Sequence, residues 1–407
     1  MRILLINCVY NIGSTGKIIY DSLRFYESLG HEVYVAFGNK GESIPPHIYR
    51  FCTLTEARIQ TRLSMIGRSQ YQGLTIPTIR LKKFISKVNP DVVHLHCVNG
   101  FCVNLYALLR FLAEGDYKTV ITHHAEFYYT GSCGHAYECE QWSTNQCKNC
   151  PRPHISTFNK IFPNPSGDWQ KMKKAFSSFK PENLVFTSVS PWVNERAKHS
   201  PIVNHFKHYV VLNGLDTSVF HHYSDSFEIL NRFNILKKSK IVFHATAAFS
   251  PNDLNHPKGG FYVAELARRL PHVMFIVASI ASINAINLPP NLILWGRTNT
   301  QEELARLYSI ADLTLITSDR ETFSMVVAES LCCGTRVVGF KAGGPESIAL
   351  KEYGFFVEYG NIDKLQAQIE LQLKNACSEK QLESEANRIY SKEVMAQNYL
   401  NIYKTLV

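Results

Sequence analysis

The sequence has no apolar run long enough to cross a bilayer. A spanning helix needs about 18–20 consecutive apolar residues, and no stretch of the 407 residues supplies them. No tandem repeat recurs at a fixed period, which sets aside solenoids and propellers. Low-complexity tracts are missing too. With 45% hydrophobic and 12% aromatic residues, the chain can bury large cores and is not of the disordered class. Met1 runs directly into RILLINCVY, which carries one charge and no small-residue cleavage site. That stretch is expected to be a buried first strand rather than a signal peptide, and the expected location is the cytoplasm.

Acidic residues fall short in one half only. Residues 1–205 hold 23 Lys and Arg against 14 Asp and Glu, whereas residues 206–407 hold 20 of each. The whole formal excess of +9 therefore lies in the first half. Such a lopsided charge suits an anionic partner, phospholipid or nucleic acid, or simply a solvated basic face.

What is present is an alternation of short apolar strands with helical patterns. RILLINCVY, EVYVAFG (32–38), PDVVHLHC (90–97), VITHHA (120–125) and LVFTSVS (184–190) form one series. KIVFHATA (240–247), VMFIVAS (273–279), LILWG (292–296), LTLITS (313–318) and RVVGF (336–340) form a second. Helices are expected at 17–29, 259–270, 301–311 and 324–333. Runs buried on both faces belong to parallel sheets with helical crossovers. The expected fold is α/β, with two doubly wound Rossmann-like domains facing across a cleft. The first spans 1–208 and the second 209–390. A last helix, 391–407, is expected to cross back to the first domain. Ligands in such sheets bind beyond the carboxyl ends of the strands, so the loops there carry the search.

NIGSTGK (Asn11–Lys17) follows the first strand. It is not a nucleotide P-loop: Gly13 and Gly16 stand too close together, and Ile18 replaces the magnesium-binding hydroxyl. It remains a glycine-rich turn feeding a helix start, where free N–H groups can face an anion or a sugar, or a tight turn and no more. DRETFSMVVAESLCCG (Asp319–Gly334) follows the strand TLITSD. A helix begins near Ser324, with unpaired N–H groups and the positive end of its dipole at that point. Glu321 lies in the loop and Glu329 about one and a half turns into the helix. One ligand could place phosphates at the helix start, a sugar by Glu321 and ribose hydroxyls on Glu329. The alternative for Glu329 is a half-buried helix residue with a local partner. Lys258 in NHPKGG precedes another helix start, and Arg297 in LILWGRTN ends a later strand; both are candidate cations.

These residues carry a resemblance. ADLTLITSDRETFSMVVAESLCCGTRVVGFKAGGPESI resembles the donor-binding half of GT-B glycosyltransferases, in particular the retaining family 4 group of bacterial surface-polysaccharide enzymes. The carriers are Glu321 and Glu329 with seven residues between them, and Ala311–Asp312, Gly334, Val337–Val338 and Gly343–Gly344–Pro345–Glu346 around them. NGLD, KGG and the closing helix with Tyr403 also match. The resemblance implies a retaining enzyme that takes a sugar from a nucleoside-diphosphate donor, UDP or GDP. Glu329 would hold the ribose. Glu321, with the backbone of Phe323, Ser324 and Met325, would hold the donor sugar and phosphate. Lys258 would neutralise the leaving diphosphate, with no cofactor or metal needed for the chemistry. Gly13 and Gly16 would form the glycine loop near the reacting centre, and His124, rather than His123, would contact the transferred sugar. The chain departs from the group in one respect: AFSPNDLNHPK lacks the arginine about five residues before the lysine. Arg297 would substitute, or Lys258 and backbone dipoles would act alone.

Two further features stay open at this level. Cys133, Cys139, Cys147 and Cys150 lie in SCGHAYECEQWSTNQCKNCP, where CKNC has metal-ligand spacing. They read as a structural zinc site stapling an insertion at about 130–155, or as free thiols. DWQKMKKAFSSFK (168–180) places Trp169, Met172, Phe176 and Phe179 on one stripe beside three lysines. It reads as an interfacial helix on an anionic membrane or as a helix packed on its own core. The combined expectation is a glycosyltransferase building a lipid-linked bacterial surface polysaccharide such as an O-antigen. It would be cytoplasmic or peripheral on the inner face of the membrane, and would not bind nucleic acid. The rivals are a sugar-nucleotide epimerase on the same fold and a basic nucleic-acid-binding protein with a zinc knuckle.

Overall fold

The computed structural model describes residues 1–41, 47–67, 69–226, 239–279 and 287–407. They form two compact units, Met1–Leu212 with Met395–Val407, and Asn213–Val394. Each is a parallel sheet with helical crossovers.

The first unit has seven strands: β1 (Arg2–Val9), β2 (Glu32–Lys40), β3 (Ile48–Arg50), β4 (Val92–Leu95), β5 (Thr119–His123), β6 (Leu184–Ser188) and β7 (Lys207–Val210). Their order in the sheet is β3-β2-β1-β4-β5-β6-β7. The second unit has six: β8 (Lys240–Thr246), β9 (Val273–Ser279), β10 (Leu292–Gly296), β11 (Leu313–Ile316), β12 (Arg336–Phe340) and β13 (Gly354–Val357), in the order β10-β9-β8-β11-β12-β13. Both sheets reverse direction of growth, at β1/β4 and at β8/β11. A crevice opens at such a reversal because the flanking crossovers leave on opposite faces.

Burial explains which strands the sequence announced. The central strands β4, β5, β6, β11 and β12 are buried at every position, and their sequences are correspondingly near-continuous apolar runs. The edge strands β3, β7 and β13 are three or four residues long, and β7 and β13 have no fully buried position. Runs this short show no period, and sequence patterning passed over them.

The last helix, Lys392–Leu406, starts in the second unit, where Lys392 donates to Asp216 and its N–H bonds Leu215 O at 2.9 Å. Its remainder packs in the first unit, where Met395, Tyr399, Leu400 and Tyr403 join a core with Ile3, Ile19, Tyr26 and Val92. The helix Pro165–Phe176 buries its stripe: Trp169, Met172 and Phe176 are 1%, 0% and 0% exposed, and the Trp169 indole N–H donates to Trp142 O at 2.8 Å. Of its two readings the core-packed one holds. The reason is that each ring finds protein neighbours, so no apolar stripe is left for lipid.

Candidate active site

The second sheet's reversal places two sequence-distant loops together. Lys258 lies after β8 and Glu321 after β11. The Lys258 Nζ donates to Glu321 Oε1 at 2.8 Å, and the Ser318 hydroxyl donates to the same oxygen at 2.7 Å. The Glu321 side chain is only 17% exposed. Burial alone would push its carboxyl up, but the Lys258 charge and the bonds from Lys258 and Ser318 outweigh it and hold it below the usual value. Ser324 adds a smaller pull, although its hydroxyl lacks hydrogen-bond geometry to any partner. At neutral pH Glu321 is therefore an anion gripping a cation.

The loops are locked by glycines. Gly259 sits at φ +64°, and a Cβ there would stand 2.1 Å from Thr317 O. Only glycine permits both the left-handed turn and this approach of the Gly260–Arg269 helix to the end of β11. Gly344 presses on the Glu321 loop in the same way: a Cβ would meet Phe323 N at 2.5 Å. Glu321 N donates to Ala342 O, and Gly344 N donates to Glu321 O. Glu346 then ties down the glycine turn by accepting from Ala342 N and Gly343 N at 2.9 and 2.8 Å.

The helix Met325–Cys332 starts at Ser324, which is held at φ +83°. That is a strained conformation for a residue with a side chain, and strain of this kind gathers at ligand sites. The Ser324 hydroxyl is buried without a partner. Glu329, further along, accepts from the Tyr308 hydroxyl at 2.9 Å. Burial pushes its carboxyl up to about 7, and the Tyr308 bond only partly offsets this. Glu329 and Arg297 line one cavity of about 300 Å³, together with Thr246, Ser279, Thr298 and Val326. Its walls are the carboxyl ends of β8, β9 and β10. The arrangement offers an acceptor for hydroxyls at Glu329, a cation at Arg297 and an apolar floor.

The first unit holds the other candidates. Asn11 and Gly13 adopt positive φ at the end of β1, and the helix starts at Gly13, earlier than the expected Lys17. Gly16 therefore lies inside the first turn, where a Cβ would crowd Asn11 N and Val9 Cγ2 at 3.2 Å. His123 is fully buried and stacks on Phe186, with ring centres 4.9 Å apart. His124 is half-buried and donates or accepts at 3.0 Å with His96 Nδ1. Cys133, Cys139 and Cys150 line a second cavity of about 170 Å³, and Cys147 is buried with its thiol toward Thr130 O. Among the described residues no three His, Cys, Asp or Glu side chains converge as a metal-holding group.

Two family models cover most of the chain: Glycosyltransferase Family 4 over residues 15–219 and Glycosyl transferases group 1 over 250–389. The chain belongs to glycosyltransferase family 4. Its similarity to a D-inositol 3-phosphate glycosyltransferase of Segniliparus rotundus is 29% identity over 120 residues, 26% of each chain. With an N-acetyl-alpha-D-glucosaminyl L-malate synthase of Bacillus anthracis it shares 26% over 107 residues, 26% of this chain and 28% of the relative. The aligned stretches thus span about a quarter of these relatives' lengths. Two solved structures share the fold over its full length. The sucrose-phosphate synthase of Thermosynechococcus elongatus has a TM-score of 0.67 at 14% identity, covering 100% of this chain and 99% of its own. Anabaena HepE in complex with UDP has 0.66 at 15%, covering 100% of both. The fold is GT-B.

For this family 4 chain, sequence reading singled out Lys258, Arg297, Glu321 and Glu329 as separate candidates; the structure sets Lys258 on Glu321 and places Arg297 and Glu329 on one cavity. Sequence reading missed the partners. Ser318 carried a signal, a hydroxyl three residues before Glu321 at a strand end. Tyr308 carried none, because an aromatic on an amphipathic helix reads as core.

Proposed function

We propose that this chain is a retaining glycosyltransferase that takes a sugar from a nucleoside-diphosphate donor. The observation that carries the reading is the Lys258–Glu321–Ser318 cluster beside the cavity of Glu329 and Arg297. The nucleotide would occupy the cavity, with its ribose hydroxyls donating to Glu329. The diphosphate would lie against the start of the Met325–Cys332 helix, where the Ser324 hydroxyl and the first N–H groups await a partner. As the glycosidic bond breaks, negative charge grows on the departing phosphate. Lys258 and Arg297, already in place, stabilise that charge without solvent reorganisation. Glu321 keeps the Lys258 ammonium oriented and accepts from the donor sugar's hydroxyls. His124 contacts the transferred sugar. Transfer of a labelled sugar, rather than isomerisation of the donor, separates this from an epimerase. Glu321→Ala is expected to fold, to keep binding nucleoside diphosphate and to lose transfer at least ~100-fold. Full turnover in that variant would refute the assignment.

The acceptor we propose is a lipid-linked glycan of a bacterial surface polysaccharide at an anionic membrane. Support comes from the basic first half and from an exposed apolar surface. Ile155, Ile161 and Phe162 are 76%, 55% and 72% exposed, on a loop fixed by Asn159, whose side chain bonds Ile161 N, Phe162 N and Phe162 O. Lys160 N bonds Met65 O, next to the exposed Ile66. Residues 57–67 and 153–164 contain no carboxylate, and they carry Arg58, Arg62 and Lys160 on the outside. A rigid loop presenting apolar tips among cations suits an anionic bilayer. Vesicles containing phosphatidylglycerol should sediment the protein, and Phe162→Ser should release it with its melting temperature unchanged. Equal sedimentation of the variant would remove this surface from the account. The curated relatives' names point instead to small acceptors, inositol phosphate and malate. An enzyme that transfers to such acceptors and never sediments would favour that second reading.

A further inference from the structure

Glu329 lines the cavity it shares with Arg297, and Tyr308 stands behind it, fully buried on the helix Gln301–Ser309. Two contacts fix Tyr308. Its ring meets Phe243 edge-on, with centres 5.0 Å apart, and its carbonyl accepts from the Thr335 hydroxyl at 2.7 Å. The phenol donates to Glu329 Oε2 at 2.9 Å. Burial, and after it the Glu329 charge, holds Tyr308 in the protonated form, so its role as donor is settled. Glu329 Oε1 takes no hydrogen bond among the described residues, and the side chain is half-buried at the cavity wall.

Other ionisable groups surround the pair. Arg297 lines the same cavity. Cys332 and Cys333, later in the helix of Glu329, stay thiols, chiefly through burial and partly through the Glu329 charge. Glu321 acts weakly on Tyr308. Of these groups, Tyr308 alone bonds the carboxylate among the described residues.

The charge state of Glu329 decides what it can offer. A carboxylate presents about four lone-pair sites, of which the phenol takes one. Protonation turns one oxygen into a donor and removes the charge that strengthens bonds from hydroxyls. Burial favours that neutral form and brings the carboxyl to about 7. The bond from Tyr308 pulls the other way, because it is stronger to the anion.

We propose that Tyr308 is a positioning residue for the donor: its phenol keeps Glu329 anionic and leaves Oε1 open to the ribose hydroxyls, so nucleotide binding weakens as Glu329 gains a proton. This rests on the reading of Glu329 as the ribose acceptor. The apparent affinity then scales with the fraction of protein in which Glu329 is charged.

Calorimetry of UDP and GDP between pH 6 and pH 9 compares wild type with Tyr308→Phe, which keeps the ring and removes the donor. The ratio of the two dissociation constants cancels the titration of the nucleotide's own phosphates. It should be about tenfold at pH 7, the worth of one hydrogen bond to a charged group, and shrink to about threefold or less at pH 9, where both proteins hold Glu329 charged. A ratio constant across this range, or near one throughout, overturns the proposal, since a purely structural loss has no such pH dependence. A second readout needs no ligand. Carbon-13 NMR of glutamate-labelled protein, with Glu329→Gln assigning the carboxyl, should show the Glu329 titration moved upward in Tyr308→Phe. An unmoved titration overturns the proposal even where the nucleotide binds. A moved titration in a wild type that binds neither nucleotide overturns instead the ribose-holding role of Glu329, and the donor role of Tyr308 falls with it.

Discussion

Glu329 carries a burial cost that the proposed ribose contact would explain. Its folded carboxyl titrates near 7 against an ordinary 4.5, because burial disfavours the charge. A raised carboxylate means that the folded state holds the proton more tightly than the unfolded one. Stability from this group is therefore complete below about pH 4.5 and declines as pH rises toward 7. Above 7 the cost is full, at most about 3 kcal/mol for a shift of this size. Glu329→Gln, which keeps an acceptor for Tyr308, should stabilise the protein by about 1–3 kcal/mol at pH 8 and by much less at pH 5. Denaturant melts at the two pH values check this; a variant less stable at pH 8 would contradict it. Glu321 has the opposite sign. Its lowered value means that its contribution is present at neutral pH and is lost as pH falls through the folded value. The two carboxylates were legible in the sequence through their spacing and setting. Their contrasting charge states were not, because those depend on Lys258, Ser318 and Tyr308, which only the fold brings near.

At the scale of elements, the sequence announced the apolar runs, the edge strand β10 among them, and missed the shortest edges. β1, β5, β6, β11 and β12 were legible as apolar runs. β3, β7 and β13 were not, since a half-exposed strand of three or four residues has too short a pattern. The cysteine-rich insertion illustrates a different limit. Its order is anchored by a glutamate rather than declared by its thiols. Glu126 is fully buried and accepts from Arg196 Nε, Tyr129 OH and Ala136 N, each at 2.7 Å. Arg196 in turn lies over the rings of Trp142 and Trp192. Removing the carboxylate leaves a largely buried guanidinium without its counter-ion, which typically costs about 3–5 kcal/mol. Glu126→Ala should shift the urea midpoint accordingly, with the change visible in tryptophan fluorescence. A loss under ~1 kcal/mol would show that the insertion is held by something else, and bound zinc, lost on chelation, is the alternative to examine.

At the scale of the whole molecule, two sheets with the same reversal of strand order host different chemistries, because their loops differ. The β1/β4 reversal carries a glycine-tightened helix start and the bonded pair His96–His124. The β8/β11 reversal carries paired carboxylates, a lysine and a cavity. Family membership follows from matches to both halves, and the Lys258–Glu321 cluster and the Glu329 cavity of the proposed donor site are built from residues of the second unit. The central claim is that this site binds a nucleoside diphosphate through Glu329. Titration calorimetry of UDP and GDP against wild type and Glu329→Ala at pH 8 tests it most directly. The account predicts that one of the two nucleotides binds wild type and loses affinity roughly tenfold or more in the variant, as expected when hydrogen bonds to a charged group are removed. Failure of either nucleotide to bind wild type, or equal affinity in the variant, would contradict it.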